Sequence, residues 1–417
     1  MNRIDVINSH IHPKTKEFFT HIGTNKTNAI LQKSPQLKNY KEVLTQLKGN
    51  VASKMTYEIN EGDILSKLHN NGALSIVLNR TKQLNSLSLD MVTKLAVLLY
   101  AAREDSRVKV VVLSSNSPVA FCAGGDIKAL TSDTKGYIQN FFGVEFNVNY
   151  ILDTFKKPTI ALLNGITMGG GVGISIFAHY RVAASDKFVF AMPETSIGLF
   201  TDVGSGYFLP NTMPISLANY VAITSARFDA KDALLSKVVT HVASRGNFDT
   251  LKATLCEFQF SENTHKDVKT ILDQTCDSHG IDGDIFKNLK YIEEAFDAPN
   301  VQTIVKNLTD PTQDAGQNEW NKKTLEVVRK KCPMSIKVSF EALKRGRQSA
   351  SLKQVLTDDF RLGSRMVLRP DFIEGVRAVV VNKTNDPKWD PLNIEQVDDE
   401  VVLEVFEPIQ EELEFVE

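Results

Sequence analysis

The chain has 417 residues, 42% of them apolar and 24% charged, with a formal net charge of −2; it can build one large domain or two smaller ones, and the balance calls for neither nucleic acid nor a membrane surface. No apolar stretch reaches the ~20 residues of a membrane-crossing helix, and the N-terminus lacks the continuous apolar core of a secretory signal. Cys122, Cys256, Cys276 and Cys332 form no C-x-x-C pair and the eight histidines show no ligand spacing, so metal and dithiol motifs have no support and a reducing compartment such as cytosol or matrix is expected.

Residues 1–54 read as an N-terminal extension. Within 1–50 there are eight Lys or Arg against three Asp or Glu, an acid-poor composition compatible with a mitochondrial address. One helical stretch is expected there, around Tyr40–Leu47. Thr56–Asn60 and Ala73–Asn79 read as strands about the turn Asn70-Asn71-Gly72. Leu89, Val92, Leu95, Leu98 and Leu99 fall at helical spacing within 87–104. Val108–Leu113 is a β-branched run that predicts a strand buried on both faces. A loop, 114–126, and a helix from Ile127 follow.

The cycle recurs. Thr159–Leu163 predicts a strand, 164–168 a turn, and 169–178 a glycine-opened helix. Tyr180–Ala183 and Phe188–Phe190 predict two more strands, then a loop and a helix beyond Gly204. Residues 55–245 therefore read as an α/β core and 246–394 as a mainly helical region, with helices near 336–344 and 372–380. Residues 395–417 hold ten Asp or Glu and no Lys or Arg; this acidic tail, like the extension, reads as a solvated arm.

Four segments carry chemistry. Ala123-Gly124-Gly125-Asp126 and Met168-Gly169-Gly170-Gly171 each lie between a strand and a helix, where glycines let backbone N–H groups approach a ligand. Two such donor sites converging would cradle one developing oxyanion, although either loop alone also reads as tight helix–strand packing. The segment from Met192 to Gly206 sets Glu194 and Asp202 eight apart among apolar residues and glycines, where acids are costly unless paired or used. Asp202 also fits as a cap for the following helix. Glu145, taken singly, reads as an ordinary helix-surface acid.

Together these segments resemble the crotonase superfamily. The resemblance implies a ClpP-like spiral of ββα units followed by a mainly helical C-terminal region, with the N–H groups of Gly125 and Gly170 as an oxyanion hole for an acyl-CoA thioester. Coenzyme A would lie bent along the first loop. Hydratases of the superfamily use two glutamates; one position matches Glu194, but the other falls on Gly173, and Asp202 stands where they carry glycine. Gly173, Glu194 and Asp202 together resemble the 3-hydroxyisobutyryl-CoA hydrolases, and Phe190-Ala191-Met192-Pro193-Glu194-Thr195 and Pro387-Lys388-Trp389 are similar to that family. Thr201 departs from a common proline, and Ser205 and Lys237 from glycines.

The resemblance implies hydrolysis of a short β-hydroxyacyl-CoA, 3-hydroxyisobutyryl-CoA of valine breakdown or 3-hydroxypropionyl-CoA, in the mitochondrial matrix. Glu194 and Asp202 would be catalytic. Glu145, Gly170, Glu194 and Asp202 would bind substrate. No metal or redox cofactor is called for, coenzyme A being part of the substrate. A second implication is structural: some mitochondrial small ribosomal subunits contain a relative of this family. In that role the arms would touch foreign chains in a large assembly, with Arg329-Lys330-Lys331 and Lys344-Arg345-Gly346-Arg347 as candidate contacts to phosphates. Otherwise a monomer or small homo-oligomer is expected.

Overall fold

Val110, Val111, Val112 and Leu113 are all buried, and they alternate between two apolar layers. Val110 and Val112 face a cluster with Phe248, Leu251 and Leu272, while Val111 and Leu113 face the main core. A strand covered on both faces belongs inside a parallel sheet, and that is where the computed structural model places it. The structure describes residues 40–48, 55–131, 136–276, 283–311 and 313–417.

The elements that build the site are α1 (Tyr40–Lys48), β1 (Ile64–Leu68), β2 (Ala73–Leu78), α2 (Leu89–Glu104), β3 (Val110–Ser115), β4 (Ala120–Cys122), α3 (Ile127–Thr131), α4 (Tyr137–Asp153), β5 (Thr159–Leu163), β6 (Ile166–Met168), α5 (Gly170–Ile176), β7 (Tyr180–Ala184), β8 (Val189–Ala191), α6 (Ser205–Thr212) and β9 (His241–Ala243). A six-stranded sheet runs β1-β2-β3-β5-β7-β9, antiparallel only between β1 and β2, and a three-stranded parallel sheet runs β4-β6-β8. After the hairpin β1-β2 and its helix α2, each turn of the chain sends one strand to the large sheet and the next to the small one, then a helix, which is the expected ββα spiral.

Two expectations change. The first strand of the opening hairpin is Ile64–Leu68, not 56–60, where only Ile59 makes a bridge, to Ser66. This edge strand exposes one face, which weakens its apolar signature. The stretches expected as plain loop and turn, 114–126 and 164–168, contain β4 and β6, three residues each and too short to show a period.

Beyond β9 the described residues are helical. The helices Pro333–Gly346 and Leu352–Met366 return to pack on α6, and the second also packs on α4. The expected helix near 372–380 is a short α-helix, Pro370–Gly375, that widens into a π-helical turn over Val376–Val381.

The reading of 395–417 as a solvated arm is corrected. Val397, Val402, Val405, Phe406, Leu413, Phe415 and Val416 are buried in the core. Asn147 of α4 grips the tail from both sides, donating to the Glu414 carbonyl at 2.9 Å and accepting the Val416 N–H at 2.9 Å. Arg361 pairs with Glu412, and Lys353 with Glu417. The acids face outward while the apolar residues between them seal α4, so composition hid an amphipathic strap. At the other end of the chain, α1 packs Tyr40, Val43, Leu44 and Leu47 inward, and Gly143 of α4 leaves room for the Tyr40 ring. The remainder of the extension, 1–39 and 49–54, lies outside the described residues.

Candidate active site

The two glycine loops meet. A bridge between Leu87 and Gly125 pins the first, with the Leu87 N–H donating to the Gly124 carbonyl and the Asp126 N–H to the Leu87 carbonyl, both at 2.8 Å. Gly124 has φ +104° and Gly169 φ +49°, left-handed backbone that favours glycine. A Cβ on Gly170 would stand 3.3 Å from the Gly125 nitrogen and would run into Glu145 Oε1. Neither the Gly125 nor the Gly170 N–H has an acceptor among the described residues. They are two neighbouring donors, and a carbonyl oxygen placed between them completes both.

Glu145, Glu194 and Asp202 join these glycines around one cavity, walled on its apolar side by Phe141, Phe142, Ile127, Leu130 and Leu199. The structure therefore brings all five expected residues together. Glu145 is not a surface acid: it is 2% exposed, on the inner face of α4. Glu194 opens a single 3₁₀ turn, Glu194–Ser196, and its Oε1 lies 2.8 Å from where a Cβ on Gly169 would sit. Asp202 is not a helix cap either. Gly204 occupies the cap position of α6, and Asp202 meets that helix only through its carbonyl, which accepts the Ser205 N–H at 3.0 Å.

Three acids in so dry a place cannot all carry charge cheaply. Burial raises all three: Glu145 and Glu194 stand well above the usual carboxylate range, each raised further by the negative charge of Asp202, and Asp202 is pushed up to about 7. Glu145 Oε1 and Glu194 Oε2 have no hydrogen-bond partner among the described residues. Buried, unpartnered carboxyl oxygens beside two unpartnered N–H donors form a site built to receive a polar group.

Gly173 lies one layer behind. A Cβ there would come 2.8 Å from Val203 Cβ and 2.9 Å from Asn149 Nδ2, so the space a second glutamate would need is filled by side chains. The Asn149 carboxamide, itself wholly buried, has no partner on either of its polar atoms among the described residues.

Three supporting residues were not legible as such in the sequence. Lys331, expected in a basic surface run, turns inward and donates to Ser196 Oγ at 2.6 Å and Ser225 Oγ at 3.0 Å. Burial pushes its pKa down to about 8, and its positive charge lowers that of Glu194. Ser339 Oγ accepts the Thr201 N–H at 3.0 Å, and Asp359 Oδ2 accepts the Gly204 N–H at 2.7 Å. The first bond explains why Thr201 can replace a proline here: a proline has no N–H to give. Between these anchors Val203 has φ +51°, a conformation that costs a β-branched residue on the order of 1–2 kcal/mol. Lys237, another departure from glycine, likewise carries φ +61°.

A spiral of ββα turns that converges two free glycine N–H groups on a dry, acid-lined cleft defines the crotonase class. Residues 73–406 match the enoyl-CoA hydratase/isomerase family. Among solved structures, a carnitinyl-CoA dehydratase from Mycobacterium thermoresistibile superposes with a TM-score of 0.77 at 27% identity, covering 85% of this chain and 99% of its own. An enoyl-CoA hydratase from Rhodobacter sphaeroides 2.4.1 gives 0.75 at 28%, covering 85% and 100%. In sequence, 3-hydroxyisobutyryl-CoA hydrolase 1 of Arabidopsis thaliana is 35% identical over 346 residues, 81% of this chain and 89% of that protein. The mitochondrial 3-hydroxyisobutyryl-CoA hydrolase of Xenopus tropicalis is 37% identical over 334 residues, 78% and 84% respectively. The chain belongs to the 3-hydroxyisobutyryl-CoA hydrolase family.

Proposed function

We propose that this protein hydrolyses 3-hydroxyisobutyryl-CoA to the free hydroxy acid and coenzyme A in the mitochondrial matrix. The observation that carries this reading is the combination of a filled space at Gly173 with two buried acids, Glu194 and Asp202, facing the paired N–H groups. A hydratase needs a second glutamate behind the oxyanion hole; here Asn149 and Val203 take that room.

The thioester oxygen accepts from the Gly125 and Gly170 N–H groups, which stabilise the tetrahedral oxyanion by ~3 kcal/mol per donor. Glu194 either attacks the carbonyl carbon, expelling the thiolate of coenzyme A to form an anhydride that water then cleaves, or takes a proton from a water whose oxygen adds to that carbon and expels the thiolate; the thiolate takes up the proton released from water. Asp202 accepts the β-hydroxyl of the acyl chain. Acyl groups without that hydroxyl leave a buried acceptor unpaired and are rejected. Glu145 sits against Gly170, beside the developing oxyanion; its raised pKa favours the neutral form, which does not repel that charge.

The test is thiol release from 3-hydroxyisobutyryl-CoA, followed with a colour reagent. Rapid thiol release with negligible hydration of crotonyl-CoA is expected. Equal turnover of crotonyl-CoA hydration would overturn the reading. A ribosomal role would have the arms touch foreign chains; residues 395–417 are instead held within the chain by Asn147 and Arg361.

A further inference from the structure

Asp359 touches neither the cavity nor any cation within ion-pair distance among the described residues, yet it is a carboxyl group only 1% exposed. It lies on the helix Leu352–Met366, and burial together with the nearby charge of Asp202 raises its pKa well above the usual range. Such a group is expensive to keep unless it is used. Its carboxyl accepts the Gly204 N–H at 2.7 Å, two residues after Asp202.

That contact falls at the least relaxed point of the loop. Val203 and Gly204 both have positive φ, +51° and +77°. A valine in this conformation would relax toward negative φ if its surroundings allowed, and relaxation would swing the Asp202 side chain. Leu352 and Phe177 crowd the α-carbon of Gly204, so the turn cannot move toward them. Upstream, Ser339 fixes the Thr201 N–H. Downstream, Asp359 accepts the Gly204 N–H.

We propose that Asp359 is a positioning residue for Asp202: by accepting the Gly204 N–H it holds the left-handed Val203-Gly204 turn, and so sets the direction in which Asp202 enters the cleft and reads the hydroxyl of the acyl chain. It acts as an acceptor, not as a charge, so an amide oxygen at the same place serves equally. The inference rests on the proposed role of Asp202.

The test compares Asp359→Leu, Asp359→Asn and Asp202→Asn, each assayed for kcat and KM on 3-hydroxyisobutyryl-CoA and on isobutyryl-CoA, which lacks the hydroxyl. Asp359→Leu is expected to lower kcat on the hydroxylated substrate at least tenfold with KM within about threefold, and to reduce the preference between the two esters by a similar factor. Asp359→Asn is expected to stay within about twofold of the parent on both counts. In an Asp202→Asn background Asp359→Leu should have no further effect on preference, because the two act through one contact. Unchanged preference in Asp359→Leu, or an additive loss in the double variant, overturns the inference. If Asp359→Leu does not fold, Asp359→Asn decides: a tenfold loss of preference there overturns it, and parental preference supports it. Should Asp202→Asn itself keep parental preference, the reading of Asp202 fails instead, and the two failures are told apart by that single variant.

Discussion

Lys331 donates to Ser196 Oγ at 2.6 Å, and Ser196 closes the 3₁₀ turn that Glu194 opens. A buried ammonium is thus tied by one hydroxyl to the turn that carries Glu194. Its charge opposes the influences that raise Glu194, which are burial and the charges of Asp202 and Glu145.

Lys331→Met should therefore move the pH profile in a defined direction. In the proposed mechanism turnover needs ionised Glu194, so the rate rises with pH as that proton leaves, over a range above the ordinary value of 4.5. Removing the cation raises Glu194 further, and the rising limb of kcat against pH should shift to higher pH. A limb that stays in place or moves lower would show that Lys331 serves only the turn.

Glu194→Gln keeps the shape of the side chain and removes its base. Turnover should fall by roughly 10²–10⁴, while calorimetry with a non-hydrolysable CoA ester should show affinity within a few fold of the parent. The oxyanion donors and the apolar wall of Phe141 and Leu130 remain in place. Retention of most of the rate would remove Glu194 from the chemistry.

Gly173→Glu places a carboxylate where hydratases carry one. It should not create a hydratase. The new Cβ meets Val203 and Asn149 within 3 Å, so the variant should lose ~1–3 kcal/mol to overpacking, read as a lower urea midpoint. Crotonyl-CoA hydration should remain at background.

Phe415→Ala tests the tail. Phe415 is buried and its ring meets Tyr150 of α4 edge-on, with centroids 4.8 Å apart. Its loss should destabilise the protein by about 3 kcal/mol in equilibrium unfolding. A change below ~0.5 kcal/mol would mean that the tail detaches readily in solution.

Much of the site is legible in the sequence because its chemistry is local. Gly124-Gly125 and Gly169-Gly170 advertise free N–H groups by residue type alone, and Glu194 and Asp202 stand out as acids in an apolar loop. Glu145 carries no such mark. It becomes meaningful only when α4 is seen with α2, α5 and the helix Leu352–Met366 packed around it. Lys331, Ser339 and Asp359 are hidden for the same reason, since their partners lie 135, 138 and 155 residues away. In the fold, the strands of the large sheet announce themselves as β-branched runs, but β4 and β6 are fixed by pairing, β4 with β6 and β6 with β8, and not by pattern. The tail misleads because net charge reports what faces water and says nothing of the valines and phenylalanines between the acids.

The anchors on either side of Asp202 divide the protein's inheritance in two. The loops of Gly125 and Gly170, which in the proposed mechanism grip the thioester, are written in the first half of the chain, whereas the residues that steady Thr201 and Gly204 are written in two helices far downstream. Mutations in those helices can alter which acyl chain is admitted while leaving the carbonyl-binding loops untouched. A descendant lineage could thus drift from one short acyl-CoA to another without ever passing through a form that had lost the ability to polarise the bond it cuts.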